Sequence, residues 1–303
     1  MKKHSIWVER YRPKSISDVI FQDCRQHDQF SAFVSARDIP NLLLSGVQGT
    51  GKTTISRALI TDLGVDRSDV LRINCSDKKI DAMRHEVSAF AQTLPLGQFK
   101  VVQLEEADYL SLDAQALLRG LIEDTSLTCR YIATCNYANK IIAPLKSRFQ
   151  QFYFKAPDKE KIALRMATIL EQENVQYDAE HLLTYIDVAY PDIRKTLQLL
   201  QGNSAEGALH SPQQVSGDSD WKFGLLDAIS TGNFRAARKL VCESATREEH
   251  EDVYTFLYQN ISKMKVSDPD TAIITIAEYM RSHALASDTE LNLAACFIAL
   301  SRA

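Results

Sequence analysis

The chain has 303 residues, 45% of them hydrophobic and 24% charged, and a formal net charge of −4. That composition predicts a globular protein with a real core and room for two or three domains of about 100–150 residues each. It excludes a uniformly basic nucleic-acid binder, leaving only local patches for DNA, and no apolar run approaches the roughly 20 residues of a membrane span.

The N-terminus, MKKHSIWVERYRP, has two lysines with no apolar stretch behind them, so no secretory signal is expected. From there to residue 151 short apolar runs alternate with helical patterns, the runs being 41–45, 70–75, 100–105, 130–135 and 150–154. Strand-length runs spaced by helix-length segments predict an α/β domain, a parallel sheet with crossover helices. The first run enters Gly46-Val47-Gln48-Gly49-Thr50-Gly51-Lys52-Thr53, which fits G-x-x-x-x-G-K-[ST] without a mismatch. In such a loop the glycines let backbone N–H groups turn toward phosphates, and the helix that follows adds a favourable dipole. Lys52 is expected to reach the β- and γ-phosphates of ATP and Thr53 to bind Mg²⁺ through its hydroxyl.

The third run ends in Glu105-Glu106-Ala107-Asp108. An acid at a strand tip beside a phosphate loop organises the magnesium shell, and the next can polarise the attacking water. Glu105 is read as the metal-side acid and Glu106 as the water activator, against the plainer alternative of acids on a solvated loop. The usual tip residue is Asp; Glu105 is one methylene longer. The fourth run ends at Asn136, which either holds the lytic water and senses the γ-phosphate or simply makes a turn. Arg148 follows on a short loop, either as a surface charge or as an arginine finger for a neighbouring subunit, where it would speed hydrolysis roughly 10³–10⁵-fold.

Residues 155–202 change to a purely helical pattern, within which Arg194 opens a helix in PDIRKT. From there Arg194 could contact the γ-phosphate. The stretch 203–220 is rich in Ser, Gly, Gln and Pro and reads as a linker. Beyond Trp221 the signals are helical again: Thr246-Arg-Glu-Glu249 and Ser287-Asp-Thr-Glu290 read as capping boxes, and Asp268-Pro269 as an N-cap before a first-turn proline. The last helix, TELNLAACFIALSRA, has little polar surface and is either core or a subunit contact. Six scattered cysteines, none in a CxxC pair, read as reduced core residues of a cytosolic protein and not as a zinc site.

Taken together these motifs resemble the clamp-loader branch of AAA+ ATPases: replication factor C small subunits and, more closely, the large subunit of the T-even bacteriophage sliding-clamp loader. Trp7-Val8-Glu9-Arg10-Tyr11-Arg12-Pro13 resembles the family's W-V-E-K-Y-R-P box, and Gly49-Thr50-Gly51-Lys52-Thr53-Thr54 its phosphate loop. Ile73-Asn74-Cys75-Ser76-Asp77-Lys78-Lys79-Ile80-Asp81 with Arg84 resembles its N-A-S-D…I-D-x-x-R segment, and Ala114-Gln115-Ala116-Leu117-Leu118-Arg119 its Q-x-A-L-R helix. Ser147-Arg148-Phe149 resembles its S-R-C motif, with Phe for Cys, and Pro191-Asp192-Ile193-Arg194-Lys195-Thr196 its sensor-2 helix.

The resemblance implies an AAA+ phosphate-loop domain over 1–154, a helical lid over 155–205 and a helical collar for oligomerisation over 206–303. It implies that Val8, Glu9, Arg10, Tyr11 and Ile20 wrap the adenine, that Arg194 completes the pocket from the lid, and that Arg148 acts in trans. The implied activity is a Mg²⁺-dependent ATPase, stimulated by DNA and clamp, that opens a sliding clamp, loads it onto primer–template DNA and releases it on hydrolysis. Its implied partners are the clamp, the DNA, further copies of itself and a distinct loader subunit, a hetero-pentamer in the cytoplasm (the host's, if phage-encoded) and not at a membrane. The basic cluster Lys78, Lys79 and Arg84, near a helix start, reads either as a phosphate contact for DNA or as an ordinary solvated helix face. The rival readings are a nucleotide-binding structural subunit that hydrolyses little, and an AAA+ helicase loader or branch-migration motor.

Overall fold

The computed structural model describes residues 6–21, 23–76, 80–205, 207–211, 221–245 and 249–302. These divide into two compact units, 1–166 with 191–198 and 167–190 with 199–303.

In the first unit, helices α1 (Trp7–Arg10) and α2 (Cys24–Ala36) precede β1 (Leu42–Gly46) and α3 (Lys52–Asp62). Then come β2 (Val70–Asn74), α4 (Ile80–Ala91), β3 (Lys100–Glu105), α5 (Leu112–Asp124), β4 (Cys129–Cys135), α6 (Ala143–Lys146) and β5 (Gln150–Phe154). All five runs read as strands are strands, paired in parallel in the order β2-β3-β4-β1-β5. The apolar runs are continuous because helices cover both faces of the sheet. Leu43 packs with Val102, Leu118 and Tyr131 on one side, while Leu42 and Leu44 pack with Phe30, Leu59 and Phe152 on the other. Central β1 is buried along its whole length, whereas edge strand β5 alternates. At about 1.5–3 kcal/mol per large apolar side chain removed from water, the central strands carry most of the sheet's stability.

This order has one consequence for chemistry. Strand β4 lies between β1 and β3, so the residue after β4, Asn136, stands between the loop that follows β1 and the acids that follow β3. Ligands of parallel sheets bind at this carboxyl edge.

Helix α7 (Lys159–Gln172) leaves the first unit; α8 (Ala179–Ala189) belongs to the second, and α9 (Ile193–Gly202) begins in the first and ends in the second. The second unit adds β6 (Ser204–Ala205), β7 (Ala208–Leu209), α10 (Trp221–Ser230), α11 (Phe234–Ser244), α12 (His250–Gln259), α13 (Pro269–His283) and α14 (Thr289–Leu300). Within it, α10 packs on α8 and α11, and α14 on α11 and α13. Val241, Tyr254, Leu257, Leu293 and Phe297 are buried in this unit, and the Tyr254 hydroxyl accepts from Asn292 Nδ2 at 2.8 Å.

Four local expectations need correcting. The stretch read as a linker contains the antiparallel β6–β7 hairpin, held further by a bridge from Gln176 to Ala208; residues 212–220 lie outside the described ones. The cap of α14 is Asp288, not Ser287: its carboxylate accepts from Glu290 N and Leu291 N, and a charged acceptor complements the helix dipole better than a hydroxyl. Helix α12 begins at His250 with Glu249 as an N-cap that makes no side-chain cap bond, and Thr246 lies outside the described residues. Asp268 does cap α13 ahead of Pro269. Of the cysteines, Cys75, Cys129, Cys135 and Cys296 are core, but Cys24 is exposed and Cys242 half-buried.

Candidate nucleotide-binding site

The loop between β1 and α3 holds two glycines at left-handed angles, Gly49 at φ 80° and Gly51 at φ 86°. Gly51 is the N-cap of α3 and offers no side chain to the first N–H groups of the helix, leaving them for an anion. Thr50 ties the loop back on itself through Oγ1 to the Val47 carbonyl at 2.8 Å. Lys52 opens α3, is 8% exposed, and donates to the carbonyls of Gly46 at 2.9 Å and Val47 at 2.7 Å. Among the described residues no carboxylate forms an ion pair with it. Burial pulls its pKa down from 10.5 to about 8, against smaller opposing pulls from Cys135 and Asp108. A buried ammonium at an uncapped helix start fits a polyphosphate.

Thr53 and Thr54 follow in the first turn of α3, both half-buried. Glu105, at the tip of β3, is held through Oε1 by Arg57 Nη2 at 2.8 Å and Gln103 Nε2 at 3.1 Å. Glu106 is exposed and itself left-handed, at φ 57° and ψ 46°, so the chain turns sharply as it leaves the strand. Asp108 is 6% exposed; its Oδ2 accepts from the backbone N–H of Asn136 at 3.3 Å and Tyr137 at 3.1 Å, and its Oδ1 is buried without a partner. That orphaned oxygen, in electrostatic range of Lys52, is a second polar atom suited to a bound group or its water. Thr53 and Glu105 are oxygen donors that could hold a magnesium ion, and Lys52 with the α3 N-terminus could hold the phosphates.

Asp192, the residue before α9, joins this region. Its Oδ1 accepts from Arg194 N at 2.8 Å and Lys195 N at 3.1 Å, capping the helix, and its side chain lies where a Cβ on Gly49 would fall, 2.7 Å away. Arg194 itself is exposed in the first turn of α9. Residues Val8, Glu9 and Arg10 are in α1 and Tyr11 is its C-cap, with Glu9 exposed and paired to Arg12 at 2.8 Å. Ile20 is half-buried in the stretch that follows, where Ile16 N and Ser15 Oγ bind Asp62 at the end of α3 at 2.7 and 2.9 Å.

Arg148 lies elsewhere. Its carbonyl accepts from Asn41 Nδ2 at 3.3 Å, which places it at the amino end of β1. The phosphate loop is at the other end, five residues or about 16 Å along the strand. Its guanidinium is held by the Glu123 carboxylate and the Pro144 carbonyl. Phe149, in place of the family's Cys, is core, 8% exposed. Lys78 and Lys79 lie outside the described residues, as does the side chain of Arg84.

Residues 42–156 match the family described as ATPase family associated with various cellular activities (AAA). The replication factor C small subunit of Archaeoglobus fulgidus is 35% identical over 280 residues, covering 88% of this chain and 88% of its own. That of Sulfurisphaera tokodaii is 34% identical over 292 residues, covering 92% and 89%. The chain belongs to the replication factor C small-subunit family. Among solved structures it resembles Thermotoga maritima RuvB, a Holliday junction branch migration motor, with TM-score 0.54 and 15% identity over 82% of this chain and 79% of that one. At that identity the likeness shows the shared α/β fold alone.

Several polar residues buried around this site take no role from the family's motifs. Asp108 is visible as the third acid of Glu105-Glu106-Ala107-Asp108. Gln103 was visible as a polar residue inside an apolar strand, and it is 0% exposed. Gln115, 1% exposed, donates to the carbonyls of Leu110 at 3.0 Å and Lys140 at 3.1 Å and accepts from Ile142 N at 2.8 Å, pinning α5 to the turns after β3 and β4. Arg57 and Glu123 carried no signal, because each finds its partner only through the fold.

Proposed function

We propose that this chain is an ATPase subunit of a sliding-clamp loader that opens a processivity clamp, loads it onto primer–template DNA and releases it upon ATP hydrolysis. Lys52, Gly49, Thr50, Gly51 and Thr54 hold the triphosphate, and Thr53 with Glu105 would hold Mg²⁺, which supplies charge neutralisation on the phosphate oxygens. Glu106 orients and deprotonates the attacking water, Asn136 positions it, and Arg194 senses the γ-phosphate. Val8, Glu9, Arg10, Tyr11 and Ile20 take the adenine.

The observation that carries this reading is the place of Arg148. At the opposite end of β1 from the phosphate loop it is out of reach of its own subunit's nucleotide, so a role in hydrolysis has to be exercised on a neighbour. We assign the remaining parts accordingly: 155–205 as lid, 206–303 as the collar of a ring containing copies of this chain and a distinct subunit, and Lys78, Lys79 and Arg84 as phosphate contacts. The cytoplasm is the compartment that fits. Arg148→Ala should leave ATP binding intact and abolish hydrolysis stimulated by clamp and primed DNA; full stimulated turnover in that variant would rule the trans role out.

A second reading, a nucleotide-binding structural subunit with little hydrolysis, is favoured by the engagement of Glu105 with Arg57. Steady-state ATPase measurements of the assembled loader with clamp and primed DNA separate the two.

A further inference from the structure

The carboxylate assigned to the metal is already in contact with a cation. Arg57 Nη2 lies 2.8 Å from Glu105 Oε1, and Gln103 Nε2 reaches the same oxygen at 3.1 Å. Gln103 Nε2 also meets Ser56 Oγ at 2.7 Å, and Ser56 Oγ donates to the Thr53 carbonyl at 2.9 Å, so one polar chain runs from the strand tip to the residue whose hydroxyl is assigned to Mg²⁺. Arg57 follows Thr53 by four residues on α3, which puts it on the same face one turn further along. Arg72, opposite Gln103 on β2, lies within electrostatic range of both Arg57 and Glu105.

We propose that Arg57 is a positioning residue that competes with Mg²⁺ for the Glu105 carboxylate, so that filling the metal site requires the Arg57–Glu105 ion pair to open. This rests on the reading of the loop as a Mg²⁺–ATP site. Two cations cannot share one carboxylate oxygen without repelling each other, and a guanidinium already neutralising Glu105 lowers the site's attraction for a metal. The pair is also incompletely satisfied where it stands. Arg57 Nε and Gln103 Oε1 are buried with no hydrogen-bond partner, so the closed arrangement is not a fully satisfied network and can exchange for another. The length of Glu105 belongs to the same device, since an aspartate, shorter by one carbon–carbon bond of about 1.5 Å, would lose the 2.8 Å contact.

The test uses the full chain and a fluorescent non-hydrolysable ATP analogue, titrated across Mg²⁺ concentrations and in EDTA. In Arg57→Ala the Mg²⁺ concentration for half-maximal enhancement of binding should fall about two- to fivefold, the scale of a part-exposed ion pair. Affinity in EDTA should stay unchanged, and Arg57→Lys should return the midpoint toward that of the parent. In a Glu105→Gln background the Arg57→Ala effect should vanish. Glu105→Asp, which keeps the charge and shortens the reach, should shift the midpoint in the same direction and serves if Arg57→Ala does not fold. An unchanged midpoint, a shift that survives Glu105→Gln, or an equal shift in EDTA would overturn the proposal and leave the ATP site standing. A parent protein whose nucleotide binding ignores Mg²⁺ would overturn the metal reading and the proposal together.

Discussion

Replacing Lys52 by methionine should stabilise the nucleotide-free protein while destroying its nucleotide binding. The ammonium is 8% exposed and its pKa falls from 10.5 to about 8 on burial. At 1.36 kcal/mol per pH unit, that fall corresponds to about 3 kcal/mol of destabilisation near neutral pH. The bonds to the Gly46 and Val47 carbonyls offset it by about 1 kcal/mol each, leaving a net gain of about 1 kcal/mol for an apolar side chain of similar shape. The sign with pH follows from linkage. Because the folded pKa is depressed, the unfolded chain binds more protons between pH 8 and 10.5, so the parent gains stability across that window. The variant's advantage is therefore full below pH 8, is cancelled within about one unit above it, and is reversed by 10.5, where the parent has regained about 3 kcal/mol. Urea unfolding can be followed in a Trp221→Phe background, where Trp7 alone reports the nucleotide-binding unit. A variant less stable than its parent near neutral pH, or a difference indifferent to pH, would refute the reasoning.

Gln115→Leu strands the Ile142 N–H and two carbonyls in a buried joint and should cost about 2–4 kcal/mol, read as a lower urea midpoint. Gly49→Ala places a methyl 2.8 Å from the Asp192 Cα at a left-handed angle. It should cost at least about 1–2 kcal/mol from the backbone alone and weaken binding of the fluorescent nucleotide; parent-like affinity and stability would contradict the packing described.

Much of the first unit was legible in the sequence because its signals are local and strong. Five apolar runs in an α/β rhythm announce a sheet buried on both faces, and the phosphate loop falls at the one strand-to-helix junction that can use it. The acids after β3 and Asn136 after β4 were found by position, but only the strand order shows that Asn136 stands between the other two parts. What stayed hidden depends on distance along the chain. Arg57 meets Glu105 across 48 residues and Arg148 meets Glu123 across 25, and an arginine on a helix or loop has no pattern that names its partner. The β6–β7 hairpin was missed because two-residue strands have no periodicity to read. The capping-box pattern points to Ser287 because it reads spacing and not charge, whereas the carboxylate of Asp288 makes the cap.

Glu106 occupies a left-handed angle that glycine or asparagine would adopt with less strain. Folding by itself would favour one of those residues there. The kink also carries the carboxylate off the line of β3, where a relaxed strand would have left it pointing to one face of the sheet. With the water-activating role proposed for Glu106, stability and chemistry would pull on this turn in opposite directions.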